Sequence, residues 1–282
     1  MRAHVGPVER PRLADEGDQL RVSGAAVPPT RVQVAIAGLA VALLIAGVVR
    51  TPDVVHLLFF LLFLATALTR LIAGLMQVRS PDADALPDEA LPPYTVIAPL
   101  YREAAIAPQL IASLCAIDYP VDRLQIILVL ECDDHETRDA LSALTLPAFV
   151  QVLAAPPGHP RTKPRACNVA LERATGALVT IYDAEDRPDP GQLREAASRF
   201  AIAPARLACL QAPLRIDHDR RVLPGQFALE YASQFEVLLP ALAWLGAPFP
   251  LGGTSNHFRL SALRAVGGWD AWNVTEDADL GF

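Results

Sequence analysis

The sequence predicts an α/β protein: a mainly parallel sheet covered on both faces by helices, with two membrane-spanning helices in front of it. Three observations predict it. From Tyr94 onward, short apolar runs rich in β-branched residues alternate with helical periods. Before them lie two adjacent apolar runs, each close to bilayer length. Polar and charged clusters follow successive strands, where an open α/β sheet forms its ligand crevice. Of the 282 residues, 52% are hydrophobic, which directs attention to the membrane runs first. The net charge of −7 argues against general nucleic-acid binding. The four cysteines are scattered without a C-x-x-C pair, which fits neither a zinc site nor a disulfide framework and suits a reducing compartment.

Taken in order, residues 1–31 are polar, lack a hydrophobic period and are expected to form a flexible cytoplasmic tail. Residues 32–79 are expected to be a transmembrane hairpin, with spans near 32–49 and 54–76. Only Arg50-Thr51-Pro52-Asp53 separates the spans. His56 and Arg70 interrupt the second, and Arg70 can snorkel to headgroups. Arg31, Arg70 and Arg79 place the tail and the chain after residue 79 in the cytoplasm by the positive-inside rule, with Arg50 counting against. Residues 80–93, acidic and proline-rich, read as a linker.

The α/β domain is expected over 94–282. Strands are predicted at 94–99, 124–130, 149–153, 178–182 and 207–211, and helices at 106–117, 136–144, 163–174 and 192–200. A longer helical region spans 223–244, a loop and an edge strand follow over 248–258, and a short helix covers 261–266. At the end, Thr275 reads as an N-cap for a helix opened by Glu276, Asp277 and Asp279. That helix is cut off after one turn, so the chain is expected to be a C-terminally truncated piece.

The clusters carry the chemistry. Leu178-Val179-Thr180-Ile181-Tyr182 ends in Asp183, Glu185 and Asp186, then Arg187 and Pro188. Crowded carboxylates repel and call for a compensating cation; a hard divalent metal that also touches phosphate oxygens is the usual one. The plain alternative is a solvated acidic turn. Pro99-Leu100-Tyr101-Arg102-Glu103 follows the first strand and Glu131-Cys132-Asp133-Asp134 the second. A basic loop, Arg161-Thr162-Lys163-Pro164-Arg165, leads into Asn168. Cations facing carboxylates suit a phosphorylated ligand with Mg2+. Gly252-Gly253-Thr254-Ser255 lets backbone approach a ligand. His257 reads as a packing histidine, and Trp269 and Trp272 as core rather than sugar-stacking rings. Asp277, at a helix N-terminus, is expected to stay ionised and ready to accept a proton.

In this order the motifs resemble the membrane-embedded family 2 glycosyltransferases, which include cellulose, hyaluronan and poly-N-acetylglucosamine synthases. Pro99-Leu100-Tyr101-Arg102-Glu103 is similar to P-x-Y-N-E, with Arg for Asn. Arg165-Ala166-Cys167-Asn168 is similar to K-A-G-N, Asp183-Ala184-Glu185 to D-x-D, Gly253-Thr254-Ser255 to G-T-S, and Thr275-Glu276-Asp277 to T-E-D. The resemblance implies a GT-A (Rossmann-like) domain that inverts a sugar while transferring it from a UDP-linked donor to a hydroxyl acceptor. It implies a role in cell-surface polysaccharide or glycan synthesis at a bacterial-type inner membrane, with the catalytic domain cytoplasmic. Asp277 would be the catalytic base. Pro99, Tyr101, Glu103, Asp133, Lys163, Arg165, Asn168 and Asp183 would receive the nucleotide sugar. Gly253, Thr254, Ser255 and Glu276 would face a glycan or lipid acceptor. Asp183 and Glu185 would hold Mg2+ or Mn2+, with Asp186 as the other candidate for second ligand. The rival reading is a non-catalytic membrane module that binds a nucleotide or a partner protein and keeps a transferase-like fold.

Overall fold

The structure, a computed structural model, describes residues 28–78, 82–216 and 222–282. The expected tail therefore lies outside the described residues up to position 27, as does Arg79. Two long helices come first, α1 (Arg31–Arg50) and α2 (Pro52–Met76). Thr30 and Gln33 form a reciprocal capping box that starts α1. Pro52 starts α2, where a missing N–H costs nothing. Both helices are long and apolar enough to cross a membrane, and of their side chains only Ala73 is buried.

The described part of the expected linker is docked on the domain. Leu91 is fully buried, Leu86 N–H donates to Ser198 Oγ at 3.1 Å, and Arg194 Nη1 lies 2.7 Å from Asp88. Then come β1 (Tyr94–Leu100), α3 (Ala107–Cys115), β2 (Leu124–Glu131), α4 (His135–Ser142), β3 (Val150–Ala155), α5 (Lys163–Arg173), β4 (Leu178–Ile181), α6 (Gln192–Ile202) and β5 (Cys209–Gln211). They continue with α7 (Val222–Ala232), a π-type segment (Ser233–Leu238), α8 (Leu239–Trp244), β6 (Asn256–Arg259), α9 (Leu260–Ala265) and α10 (Glu276–Leu280). The predicted 223–244 helix is thus real but widened in its middle. Pro240 supplies no N–H to the preceding turn, which accounts for the looser winding just before it.

The sheet order is β3-β2-β1-β4-β6-β5. Strands β1 to β4 pair in parallel, while β6 runs antiparallel to both β4 and β5. The expected edge strand is therefore an inner one: β6 is hydrogen-bonded on both sides, and the short β5 takes the edge. Each central strand is buried on both faces. On one side Val96, Ala98, Ile126 and Leu128 pack with Leu110 and Leu114 of α3 and Leu193 and Phe200 of α6. On the other, Ile97, Ile127 and Val129 pack with Ala170 and Leu171 of α5, Leu263 of α9 and Trp269. That double burial explains the nearly continuous apolar runs of the sequence. All four cysteines are free thiols.

Gly176, between α5 and β4, has no room for a side chain. A Cβ there would lie 2.5 Å from Leu178 O and 2.6 Å from Thr95 N, both backbone atoms. Gly176→Ala should lower stability by about 1–3 kcal/mol, read as a fall in the thermal unfolding midpoint with the far-ultraviolet spectrum of the folded protein unchanged.

Candidate active site

The topology brings the clusters to one edge. Strands β1, β2 and β4 end there, and β6 begins there because it runs the other way. The 252–255 loop thus lies beside the end of β4: Ser255 N–H donates to Ile181 O at 2.9 Å, and Thr254 Oγ1 to the same oxygen at 3.2 Å. The N-terminal residues of α5 and α10 complete the edge.

Lys163 is the centre. Its Nζ lies 2.6 Å from Asp183 Oδ1, donates to Gly253 O at 2.8 Å and sits 4.0 Å from Glu276 Oε1. Burial works against the charged ammonium, but the neighbouring Asp183, helped by Asp277, outweighs it and raises the lysine's pKa. Asp277 is 6% exposed, and its Oδ1 has no hydrogen-bond partner. Burial, reinforced by the charge of Glu276, raises its pKa to about 7 against the pull of Lys163. The expectation that Asp277 stays ionised at a helix N-terminus is therefore overturned. The dipole of a five-residue helix contributes at most about 2 kcal/mol, too little to offset burial beside a second acid. Thr275 stands at the expected N-cap position, but its hydroxyl bonds to Asn273 Oδ1 at 2.9 Å and caps no helix N–H. A cavity of about 520 Å³ opens on this group, lined by Thr162, Lys163, Gly253, Thr275, Glu276 and Asp277 among others.

A second cavity, of about 200 Å³, lies at the ends of β1 and β2 between Tyr101, Arg102, Asp133, Asp134, His135 and Glu136. Arg102 has a left-handed backbone (φ 60), held by its N–H donating to Asp134 Oδ2 at 2.6 Å, and its guanidinium stacks over the Tyr101 ring. Glu103 N–H donates to Thr137 Oγ1 at 2.9 Å. Asp134 also caps α4 through Thr137 N–H. Asp133 pairs with Arg161, whose hydrogen bond lowers the Asp133 pKa.

Other predicted residues are engaged elsewhere. Arg165 is tied to Glu131 at 3.4 Å and to Pro156 O. Asn168 is bonded at both ends of its amide to the Trp269 backbone, at 2.7 and 3.0 Å. Pro99 sits inside β1, opposite Val129. Thr254 donates to Asp186, and the left-handed Ser255 (φ 56) is buried in the turn. Between the two acids after Asp183, Asp186 faces inward and accepts from Asp183 N–H at 2.7 Å, whereas Glu185 is exposed. His257 is the packing residue expected: it is buried, Tyr94 Oη lies 2.7 Å from its Nδ1, and burial lowers its pKa to about 3, so it stays neutral. Trp269 is core, while Trp272 is 44% exposed. Gln211 escaped sequence reasoning. It accepts from Gly252 N–H at 2.7 Å and donates to Thr254 O at 3.1 Å, holding the loop from 41 residues away in the chain. Nothing local marks it.

Among the described residues, no three histidine, cysteine or acidic side chains converge as a preformed metal cage. The donor set nevertheless fits a cation. The Lys163 ammonium already occupies a cation's place against Asp183, and the buried Asp277 oxygen beside it is unpartnered.

An α/β sheet with an acidic, lysine-centred crevice at its carboxyl edge defines the class as a GT-A, Rossmann-like fold. A mannosyltransferase from Pyrobaculum calidifontis, solved in complex with GDP-Man and Mn2+, superimposes with a TM-score of 0.57 at 23% identity, over 78% of this chain and 59% of that one. The family model described as glycosyltransferase-like family 2 matches residues 92–282, and the chain belongs to that family. The probable glycosyltransferase YdaM of Bacillus subtilis is 22% identical over 193 residues, 67% of this chain and 46% of that protein. The beta-monoglucosyldiacylglycerol synthase of Synechocystis sp. is 26% identical over 186 residues, 64% of this chain and 37% of that protein. The chain thus spans less than half the length of these two relatives.

Asp277 is neutral in the fold up to about pH 7, whereas an unfolded aspartate ionises near pH 4. Its contribution to stability is therefore present at low pH and lost as pH rises through about 7. Asp277→Asn, which cannot ionise, should raise the thermal midpoint at pH 8 by at least about 3 °C, and the gain should shrink towards pH 5; calorimetry across pH checks it.

Proposed function

We propose that the chain is the donor-binding and catalytic part of an inverting glycosyltransferase, which moves a sugar from a nucleoside diphosphate to a hydroxyl acceptor. The carrying observation is Asp277. It is a buried carboxylate whose Oδ1 has no hydrogen-bond partner, with a pKa near 7, lining the larger cavity beside a lysine and a second acid. A group poised near neutral pH is matched to general-base work.

In this reading the acceptor hydroxyl enters the larger cavity and gives its proton to Asp277. Its oxygen bonds to the anomeric carbon from the face opposite the bond to the diphosphate oxygen, which breaks, so the configuration inverts. Asp183 and Glu185 would hold Mg2+ or Mn2+. Asp186 is taken up by the Asp183 amide and Thr254, which favours Glu185 as the second ligand. When bound, the metal neutralises charge on the leaving diphosphate, so that no protein acid is required. Lys163 faces the same phosphates. Tyr101 and Asp133 border the smaller cavity and would receive the nucleoside, with Glu103 close by in the chain, its N–H held by Thr137. Arg165 and Asn168 serve by holding Glu131 and the Trp269 backbone. Helices α1 and α2 anchor the domain in a bilayer, where a growing glycan or a glycolipid could be the acceptor, with the domain on the cytoplasmic side. UDP is the expected nucleotide.

The test uses the full-length protein in lipid nanodiscs with panels of UDP- and GDP-linked sugars. Nucleoside diphosphate release from a UDP-sugar is expected. Asp277→Asn should cut turnover by about 10²-fold or more while UDP affinity holds within a few-fold. Near-normal turnover in that variant rejects Asp277 as base, and silence with every donor favours the non-catalytic rival. For the active enzyme, kcat/KM should rise with pH through about 7 as Asp277 loses its proton; a profile flat from pH 5.5 to 8.5 would remove the base assignment.

A further inference from the structure

Lys163 sits where its charge opposes another cation. It opens α5 with Pro164 in the first turn, so its backbone is fixed while its side chain crosses the crevice. The ammonium spends two donors on Asp183 and the Gly253 carbonyl and turns its remaining charge to Glu276 and Asp277. Two residues earlier in the same loop, Arg161 pairs with Asp133. One stretch of chain thus pairs with Asp183 after β4 and with Asp133 beside the smaller cavity. Both side chains remain partly exposed, 31% for Lys163 and 43% for Arg161.

We propose that Lys163 is a positioning residue that competes with the divalent metal for Asp183 and yields that carboxylate only when a diphosphate offers the ammonium a better partner. This rests on the reading of Asp183 as a metal ligand. The ammonium at 2.6 Å from Asp183 Oδ1 would stand within a few ångströms of a divalent metal on that carboxylate, and the two like charges repel. Without a diphosphate, binding metal means breaking the Lys163 contacts and leaving a half-buried ammonium against a divalent charge. With a diphosphate present, the displaced ammonium gains phosphate oxygens, and metal and nucleotide bind as a pair. The lysine thereby disfavours metal binding in the absence of the donor, and it keeps Asp183 neutralised beside Glu276 and Asp277 in the meantime.

The experiment is a Mn2+ titration of the full chain in nanodiscs, without nucleotide, following free Mn2+ by electron paramagnetic resonance. Lys163→Met should bind Mn2+ roughly tenfold more tightly than the parent, the scale of a half-buried ion pair. Lys163→Gln provides the same test with a polar side chain should the apolar one disturb folding. Lys163→Arg, which keeps the charge, and Arg161→Gln, which removes a nearby charge that does not touch Asp183, should both stay within about twofold of the parent, on the same scale. Adding UDP should tighten Mn2+ binding strongly in the parent and much less in Lys163→Met. A Lys163→Met affinity within twofold of the parent overturns the proposal. The further change Asp183→Ala separates the two readings. If it abolishes the gained affinity, Asp183 is the contested ligand. If tight binding survives it, the metal lies elsewhere, and both the competition and the metal assignment fall.

Discussion

The crowding of three carboxylates around one ammonium is the constraint on which the rest of the crevice depends. Asp183, Glu276 and Asp277 come from chain segments about ninety residues apart, and two of them are almost fully buried. Lys163 offsets part of their mutual repulsion and ties them to the 252–255 loop through the Gly253 carbonyl. With it, the group is held together but not relaxed: Asp277 remains an acid whose ionised form is costly. A buried acid that resists ionisation is a liability for folding and an asset for proton transfer near neutral pH.

The architecture makes that crowding possible through one reversal. In a purely parallel sheet only strand ends would meet at the carboxyl edge. Inserting β6 antiparallel between β4 and β5 brings a strand beginning to that edge, and with it the glycine-rich loop whose carbonyl binds Lys163. Gln211 on β5 then fixes the loop from the far side. The two cavities are further linked by the 161–163 stretch, whose Arg161 pairs with Asp133 and whose Lys163 pairs with Asp183.

Much of the site was legible as residue types in order. The acids after the apolar run at 178–182, the basic loop, the glycine pair and Thr275-Glu276-Asp277 all reach the same edge. Their roles within it were less legible. Asn168 and Arg165 look like ligand contacts in a motif, yet their side chains are committed to Trp269 and Glu131, because a part-buried amide or guanidinium satisfies its hydrogen bonds wherever the fold offers partners. Asp186 and Glu185 are adjacent acids that differ only in which one the turn points inward.

The sequence by itself determined the α/β class, the two apolar helices, nearly every strand and the set of chemical groups available, because periodicity and residue type are local properties of the chain. Only the tertiary structure decided that β6 is an inner strand, that Asp277 is held near neutrality instead of ionised, and that Lys163 lies on Asp183. Strand order depends on which edge is left to pair. A pKa depends on burial and on neighbours brought from distant positions, and neither is written in the spacing of residues along the chain.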